Sequence, residues 1–263
     1  MYSNYYTVNF EQHQYPKGNL YAIGDIHGCD NALNLLLDLL IMDNKLSTDD
    51  KVIFLGDYID RGQSSKGVIE TLIDFQKQYP ATEFLRGNHE DMFLSFFGQQ
   101  GLYGDSYLRN GGDEVLKEYG LNKLVRQKMS GIHFLADKPT LYSKLPPSHR
   151  EFVENTKMGL EFPDLIFVHA GLNIFQPLTK QSNEDVVWMR DPFLGAMHHF
   201  GKWVVHGHTP TNEVYFNAPY EINLDTGCVF GDLYGNKLSC IKFNLRDIIN
   251  SEIIDVVNPD PGY

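Results

Sequence analysis

The sequence predicts a mixed α/β fold with an inserted helical cap, and three observations support this prediction. In the first half of the chain, short apolar runs alternate with longer segments of helical periodicity, which is typical of βαβ units. Between about residues 98 and 162 the alternation gives way to helical segments, and beyond it short β-rich runs return. We therefore expect a single domain over residues 1–263 with mixed sheets and a cap insertion at about 98–162.

Three strand and helix pairs are predicted before the cap. A buried strand at Leu20–Ile23 precedes a helix over 31–42, for which Asp30 is a suitable N-cap. The pattern repeats with a strand at 51–55 and a helix at about 64–79, which ends near Pro80. It repeats again with a strand at 82–85 and a helix that opens near Glu90.

Five further strands are predicted after the cap, and some are close enough along the chain to pair antiparallel. They lie at 165–168, 202–205, 213–216, 221–224 and 237–243. The sheets are therefore expected to be mixed rather than purely parallel. The terminal segments 1–19 and 245–263 carry no clear signal.

Charge and composition limit the possible partners and location. The chain has 22 Lys and Arg against 34 Asp and Glu, a net charge of −12, which disfavours unassisted binding to nucleic acid or to an anionic membrane. Three cysteines without CxxC spacing support neither a disulfide framework nor a zinc knuckle. The sequence also has no secretory signal pattern and no apolar run of spanning length, so a cytoplasmic protein is expected. The oligomeric state is left open.

Polar side chains follow five of the predicted strands. The segments are GDIHG from Gly24, GDYIDRG from Gly56, GNHE from Gly87, HAG from His169 and HGH from His206. Because ligands bind at the strand ends of an open α/β sheet, these loops are expected to converge on one site. Carboxylate, imidazole and amide groups suit Mn²⁺, Fe or Zn²⁺, and the loops offer no thiolate for copper or iron–sulfur clusters.

The number of candidate ligands indicates two metal ions. Asp25 and His27 are two residues apart, so in extended chain they point the same way and can reach one ion. The full set is too large for one tetrahedral site, and Asp57 is the candidate bridge; the six are Asp25, His27, Asp57, Asn88, His169 and His208. Two ions roughly 3.5–4 Å apart can activate water for direct attack on phosphorus. The inferred chemistry is phosphoester hydrolysis without a Ser or Cys nucleophile.

The motifs GDIHG, GDYIDRG, GNHE, HAG and HGHT, in this order over about residues 20–230, resemble the phosphoprotein phosphatase branch of the calcineurin-like metallophosphoesterases. The similarity is to compact bacterial and phage enzymes of the lambda-phosphatase type. It implies a four-layer αββα sandwich of two mixed sheets flanked by helices. It also implies a site for two divalent ions, for which Mn²⁺ is the favoured metal and Fe or Zn²⁺ the alternatives. It also implies that the first metal is held by Asp25, His27 and Asp57, and the second by Asp57, Asn88, His169 and His208.

Further roles fall on residues beside the ligands. His89 cannot easily be a ligand together with its neighbour Asn88, since adjacent side chains diverge, so we expect it to protonate the leaving alkoxide. The resemblance implies the same role, with Asp60 orienting the imidazole and favouring its protonated form. Arg61 and Arg190 match the phosphate-binding arginines of the family, and Asn88 is also expected to contact the phosphate. A weaker third arginine candidate is Arg86.

Other conspicuous residues are expected to have structural roles. His206 is a weaker alternative to His208 as a ligand. It is expected to interact with the ligand residues rather than with the metal. A solvated surface is expected for His198 and His199, ordinary packing for Cys29, and backbone bonding for Asp225. The turn over 109–112 fits a site mouth and an ordinary turn equally well. Core packing rather than a phosphotyrosine platform is expected for five aromatics of the cap region, namely Phe93, Phe96, Phe97, Tyr103 and Tyr107.

The expected function is hydrolysis of phosphomonoesters, most specifically a serine/threonine protein phosphatase acting on phosphorylated proteins or peptides, or on small phosphoesters. One alternative is a symmetrical diadenosine tetraphosphatase, but such enzymes usually have a GDLVxRG-like motif and GNHD where this chain has GDYIDRG and GNHE. The other alternative is a non-catalytic binding protein of the same fold. The presence of all six candidate ligands and of His89 argues against it.

Overall fold

Two mixed β-sheets form the centre of the molecule in the computed structural model, which describes residues 5–128 and 131–260. The strands are β1 Glu11–Gln12, β2 Leu20–Ile23, β3 Lys51–Phe54, β4 Glu83–Phe84, β5 Val125–Lys128, β6 Gly131–Phe134, β7 Leu160–Glu161, β8 Leu165–Phe167, β9 Trp203–His206, β10 Tyr215–Asn217, β11 Glu221–Asn223, β12 Lys237–Lys242 and β13 Glu252–Val257. The α-helices are α1 Asp30–Met42, α2 Ser65–Gln78, α3 Asn88–Phe96, α4 Gly112–Glu118, α5 Lys138–Ser143, α6 Pro147–Glu154 and α7 Asn183–Trp188.

The strand order explains why both sheets are mixed. The first sheet has the order β13-β12-β2-β3-β4, in which β2, β3 and β4 run parallel and β12 is antiparallel to both β2 and β13. The second has the order β1-β7-β8-β9-β11-β10, with β8, β9 and β11 parallel and β10 antiparallel at the edge. The predicted mixed α/β fold is confirmed.

Alternating side chains bury both faces of the central strands. In β2, Leu20 and Ala22 belong to the core between the two sheets, whereas Tyr21 and Ile23 pack in the core that also contains α1 and α2. In the second sheet, Phe167 faces the first sheet and Ile166 faces the other way, in a core shared with α7. Continuous apolar strands are typical of sheets covered on both faces. The resulting order of layers is helix, sheet, sheet, helix.

The segment predicted as a helical cap contains more than helices. It holds a 3₁₀ helix at Gly104–Asn110, then α4, α5 and α6, but also an antiparallel hairpin of β5 and β6. The expected helical segments are present, and the hairpin is an additional element that the sequence pattern does not indicate. The first hairpin strand has the sequence VRQK, in which one apolar residue cannot produce a recognisable strand pattern. The segment packs on α3, where Tyr107 contacts Phe93 and Phe96.

Smaller differences concern element ends. Cys29, rather than Asp30, occupies the N-cap position of α1, and Asp30 is the first helical residue. The Asp30 carboxylate accepts one hydrogen bond within α1, from Asn34 at 3.1 Å, and one from Thr71 of α2 at 3.2 Å, so it does not cap the helix. Strands β1 and β13 lie in the terminal segments for which no element was predicted. Within the described ranges, no helix is both long and apolar enough to cross a membrane.

The core between the sheets should contribute strongly to stability. Phe167 is fully buried there and packs against Phe162 and Phe243, with ring centroids 5.4 and 5.7 Å away. We expect Phe167→Ala to lower the free energy of unfolding by about 3–5 kcal/mol in denaturant titrations, because burial is lost and a cavity remains. The matched control is Phe175→Ala, since Phe175 is 75% exposed, and it should change stability by less than about 0.5 kcal/mol. Equal effects of the two variants would contradict the packing described here.

Candidate metal centre

The five polar loops converge at one edge of the molecule. Each follows a strand that runs toward this edge: the loops come after β2, β3 and β4 of the first sheet and after β8 and β9 of the second. Because parallel strands place their carboxyl ends together, residues far apart in the chain meet here. The structure brings together all six predicted ligands in buried positions: Asp25, His27, Asp57, Asn88, His169 and His208.

The backbone at this edge is strained. Five residues of the loops adopt positive φ although none is glycine, with values of 47° to 72°: His27, Asp57, Asp60, Arg61 and His208. Such conformations are unfavourable for residues with a Cβ and persist only where the surroundings impose them, commonly at functional sites. The tight turns let each loop present its polar side chain directly after its strand.

One group of ligand atoms lies on one side of the Asp57 carboxylate. The His27 Nε2 atom is 3.3 Å from Asp57 Oδ2, and the His89 Nε2 atom is 4.0 Å from the same oxygen. The three residues His27, Asp57 and His89 each offer a ligand atom within 4.8 Å of the others. The His27 Nδ1 atom donates to the Ile59 carbonyl at 3.0 Å, which directs the Nε2 lone pair toward Asp57.

A second group lies on the other side of the same carboxylate. Asp57 Oδ1 is 3.4 Å from His169 Nε2, and the ligand atoms of Asp57, His169 and His208 also lie within 4.8 Å of one another. The Asn88 side-chain oxygen is 3.0 Å from His169 Nε2 and 2.8 Å from His208 Nδ1. Asp57 therefore stands between two sets of donors, as a bridging ligand must.

Asp25 lies beside His208 at the edge of the site. Its Oδ2 accepts the backbone N–H of His208 at 2.9 Å, while its buried Oδ1 has no hydrogen-bond partner among the described residues. Burial, and then the charges of Asp225 and Asp57, raise the pKa of Asp25 well above its usual value. A buried carboxylate oxygen without a donor, close to other carboxylates, is stabilised by a cation.

The protonation states also favour cations. Burial alone would raise the pKa of Asp57, but the imidazoles of His169, His89 and His27 hold it well below its usual range. Burial lowers the pKa of His169 and of His208, which favours the neutral form of both imidazoles, although the Asp57 carboxylate opposes this shift. Neutral imidazoles and an ionised carboxylate are the forms in which these side chains bind metals. The donor set therefore fits a pair of divalent cations.

A buried hydrogen-bonded chain extends behind His89. The His89 Nδ1 atom is 2.6 Å from Asp60 Oδ2, and the Tyr107 hydroxyl donates to Asp60 Oδ1 at 2.9 Å. The predicted contact between Asp60 and His89 is present, but the expected rise in the pKa of His89 is not. Burial lowers the pKa of His89 and raises that of Asp60, because both side chains are completely buried. The pair therefore favours a net neutral state in which it holds one shared proton.

The two predicted phosphate-binding arginines line the same cavity. Arg61 and Arg190 border a cavity of about 410 Å³ together with Asp57, Asn88 and His208. Arg61 Nη1 is 2.6 Å from His27 Nε2 and its guanidinium lies 5.1 Å from the centre of the Phe230 ring. Arg190 is exposed and donates to Thr209 Oγ1 and the His208 carbonyl, both at 3.3 Å.

Two other arginine and histidine candidates lie away from this cavity. Arg86 is buried and donates to Thr156 Oγ1 and to the Glu154 carbonyl, both at 3.0 Å, which is a structural role. His206 Nε2 is 3.0 Å from Glu221 Oε1, and the imidazole packs against Phe193 with ring centroids 5.2 Å apart. His206 is thus not part of either group of ligand atoms.

The remaining expectations have mixed outcomes. Asn110 lines the cavity, which places the turn at 109–112 at the mouth of the site. Four of the five aromatics listed above are buried, as expected, but Tyr103 is 43% exposed and Tyr107 also bonds Asp60. Asp225 accepts the backbone N–H of Gly227 at 3.0 Å. The three cysteines are free and buried.

Glu90 is a functional residue that the sequence reasoning missed. Its buried carboxylate accepts the backbone N–H groups of Asp57, Tyr58, Ile59 and Gly87 at 2.9, 2.8, 3.3 and 2.9 Å. These bonds join the loop after β3 to the first turn of α3 and so fix Asp57 relative to Asn88. A Glu three residues after the helix N-cap was the available signal, since it is half of a capping box.

The chain belongs to the calcineurin-like phosphoesterase family, whose model matches residues 18–234. The family predicted from the motifs is thereby confirmed, and the protein is a metallophosphoesterase-fold hydrolase. Its fold implies a dinuclear divalent metal centre, and the candidate ligands are the six buried residues that meet around Asp57. His89 also lies within reach of the first group, with its Nε2 atom 4.0 Å from Asp57 Oδ2, but it is bonded to Asp60 through Nδ1.

Individual proteins similar to this chain include both nucleotide hydrolases and protein phosphatases. The chain is 28% identical over 258 residues to an asymmetrical bis(5'-nucleosyl)-tetraphosphatase, PrpE, of Oceanobacillus iheyensis, covering 87% of this chain and 90% of the relative. A structure provisionally described as a diadenosine tetraphosphatase superposes with a TM-score of 0.62 at 21% identity, covering 94% and 98% of the two chains. A cold-active protein tyrosine phosphatase superposes with a TM-score of 0.61 at 16% identity, covering 96% of this chain and 83% of the other. The two structures support the fold alone.

Metal binding gives a direct test of the second group. We expect His208→Ala to reduce the Mn²⁺ content from two ions per chain to about one and to lower turnover, because its Nδ1 atom lies beside the Asn88 side-chain oxygen. Metal analysis after desalting measures the content. His199→Ala is the control, since His199 is exposed and lies outside the site. Retention of two ions by His208→Ala would rule out His208 as a ligand.

Proposed function

We propose that the protein is a metal-dependent phosphomonoesterase that hydrolyses alkyl phosphates, with phosphoserine and phosphothreonine in peptides as the substrate class. The observation that carries the proposal is the buried pair of His89 and Asp60, joined at 2.6 Å beside the Asp57 carboxylate. A serine or threonine alkoxide is a poor leaving group and needs a proton as it departs. An enzyme for such esters therefore requires a positioned acid.

In this proposal the metal centre activates water for attack on the phosphate. Asp25, His27 and Asp57 would hold one cation, and Asp57, Asn88, His169 and His208 the other. When bound, divalent ions activate water and neutralise charge on the phosphoryl oxygens.

The chain's own residues supply the remaining steps. Arg61 and Arg190 line the cavity and can each direct a fork of N–H donors at the phosphoryl oxygens, which holds the group for in-line attack. The His89 Nε2 atom is buried without a hydrogen-bond partner among the described residues, so its N–H is available to the leaving oxygen. As the P–O bond breaks, that oxygen takes the proton, and the proton held between Nδ1 and Asp60 restores a neutral imidazole.

A second candidate is hydrolysis of dinucleoside tetraphosphates. It is favoured by the PrpE relative, which matches 87% of this chain, and by the aromatic residues Phe230 and Tyr234 at the cavity wall. Aromatic rings of this kind can stack on a nucleobase. In that reaction the leaving group is a nucleotide, whose phosphate departs as a stable anion, so a buried acid would have little to contribute.

A substrate panel separates the two candidates. With Mn²⁺ present, we expect kcat/KM for a phosphoserine peptide to exceed that for diadenosine tetraphosphate by at least about tenfold, because the acid assists departure of an alkoxide. An aryl phosphate should also exceed diadenosine tetraphosphate, because the proposed site acts on monoesters and this leaving group needs no acid. Product analysis by chromatography and phosphate release measures all three reactions. The opposite ratio would favour the dinucleoside candidate.

Removal of the acid tests the mechanism itself. His89→Asn should lower kcat for the phosphoserine peptide by roughly 10²–10⁴-fold while metal content stays near the wild-type value, since proton transfer is lost and the six ligands remain. Steady-state kinetics and metal analysis on the same preparation give both values. An unchanged kcat would remove His89 from the reaction.

A further inference from the structure

The Tyr107 hydroxyl is the last group of the chain that runs behind His89. It donates to Asp60 Oδ1 at 2.9 Å, and the other carboxylate oxygen, Oδ2, contacts His89 Nδ1 at 2.6 Å. All three side chains are fully buried. Each oxygen of Asp60 therefore has one dedicated side-chain partner, so the plane of the carboxylate is fixed from both ends.

The Tyr107 ring is itself held in one place. It packs against Phe93 and Phe96, with ring centroids 5.8 and 5.1 Å away. On its other side lies Gly112, where a Cβ atom would come within 2.4 Å of the ring. Only glycine leaves room for the ring at this point, so the glycine turn sets the position of the hydroxyl.

We propose that Tyr107 is a positioning residue for proton delivery: its hydroxyl orients the Asp60 carboxylate, which in turn orients the imidazole of His89 toward the leaving oxygen. Tyr107 does not line the cavity, and its hydroxyl contacts Asp60 rather than a group of the metal site. This inference rests on the proposed function, in which His89 acts as the acid.

The geometry explains why one hydroxyl has this effect. Without it, the Asp60 carboxylate loses one of its two side-chain anchors and can turn about its Cβ–Cγ bond. A small rotation misaligns the bond to His89 Nδ1, and the Nε2–H vector moves with the ring. Such a misalignment of the proton donor lowers kcat, because proton transfer needs a near-linear approach of the N–H bond to the leaving oxygen.

The test is Tyr107→Phe, which removes the hydroxyl and keeps the ring. We expect kcat for a phosphoserine peptide to fall about tenfold with KM within about twofold of wild type, because binding does not involve the acid. For 4-nitrophenyl phosphate, whose leaving anion needs no proton, kcat should stay within about twofold. Gly112→Ala, which displaces the ring, should give the same selective loss.

The matched control is Tyr142→Phe. Tyr142 is also buried beside Phe97, and its hydroxyl donates to the Glu154 carboxylate at 2.7 Å, away from His89. It should leave the ratio of the two kcat values unchanged. Equal losses for both substrates in Tyr107→Phe, or no loss for either, would overturn the proposal.

His89→Asn in the same assay separates this inference from the proposed function. A selective loss in His89→Asn without one in Tyr107→Phe rejects the role of Tyr107 alone. If His89→Asn lowers kcat equally for the phosphoserine peptide and for 4-nitrophenyl phosphate, or lowers neither, His89 is not the acid. Both proposals then lose their basis.

Discussion

The arrangement of the site depends on one buried carboxylate. Asp57 is completely enclosed and has imidazole nitrogens on both sides, 3.3 Å from Oδ2 and 3.4 Å from Oδ1. A charged group in such surroundings requires compensating partners, which the neighbouring imidazoles and the cations of the proposed metal centre would supply. Its backbone is held by Glu90 and adopts a φ of 51°. The strained backbone and the position between two sets of donors both belong to this residue, whereas burial rather than Asp57 favours the neutral form of the histidines.

The two stacked sheets make that placement possible. Parallel strands of the first sheet bring in Asp57 and Asn88, and parallel strands of the second bring in His169 and His208. The sheets are joined by an apolar core in which strands such as β2 and β8 are buried on both faces. Since that core is close-packed, the loops of one sheet have a fixed distance from those of the other. The precision of the site thus comes from apolar packing remote from it.

Sequence reasoning reached most of the fold and nearly all of the polar site, because apolar runs and the motifs behind them are local signals. Spacing predicts Asp25 and His27 as ligands, and the number of candidate ligands predicts Asp57 as the bridge. The hairpin of β5 and β6 could not be predicted, since its first strand, VRQK, has a single apolar residue and so carries little apolar pattern. Tyr107 was taken as packing because its contact with Asp60 joins residues 47 positions apart. The low pKa of His89 was missed because it follows from burial, which a motif does not encode.

The central claim is that Asp57 bridges two cations. The most direct measurement is a crystal structure of the Mn²⁺ complex with an anomalous difference map recorded at the manganese edge. The account predicts two peaks on either side of the Asp57 carboxylate, separated by roughly 3.5–4 Å, one near His27 and the other near His169. A single peak, or peaks out of contact with Asp57, would contradict it.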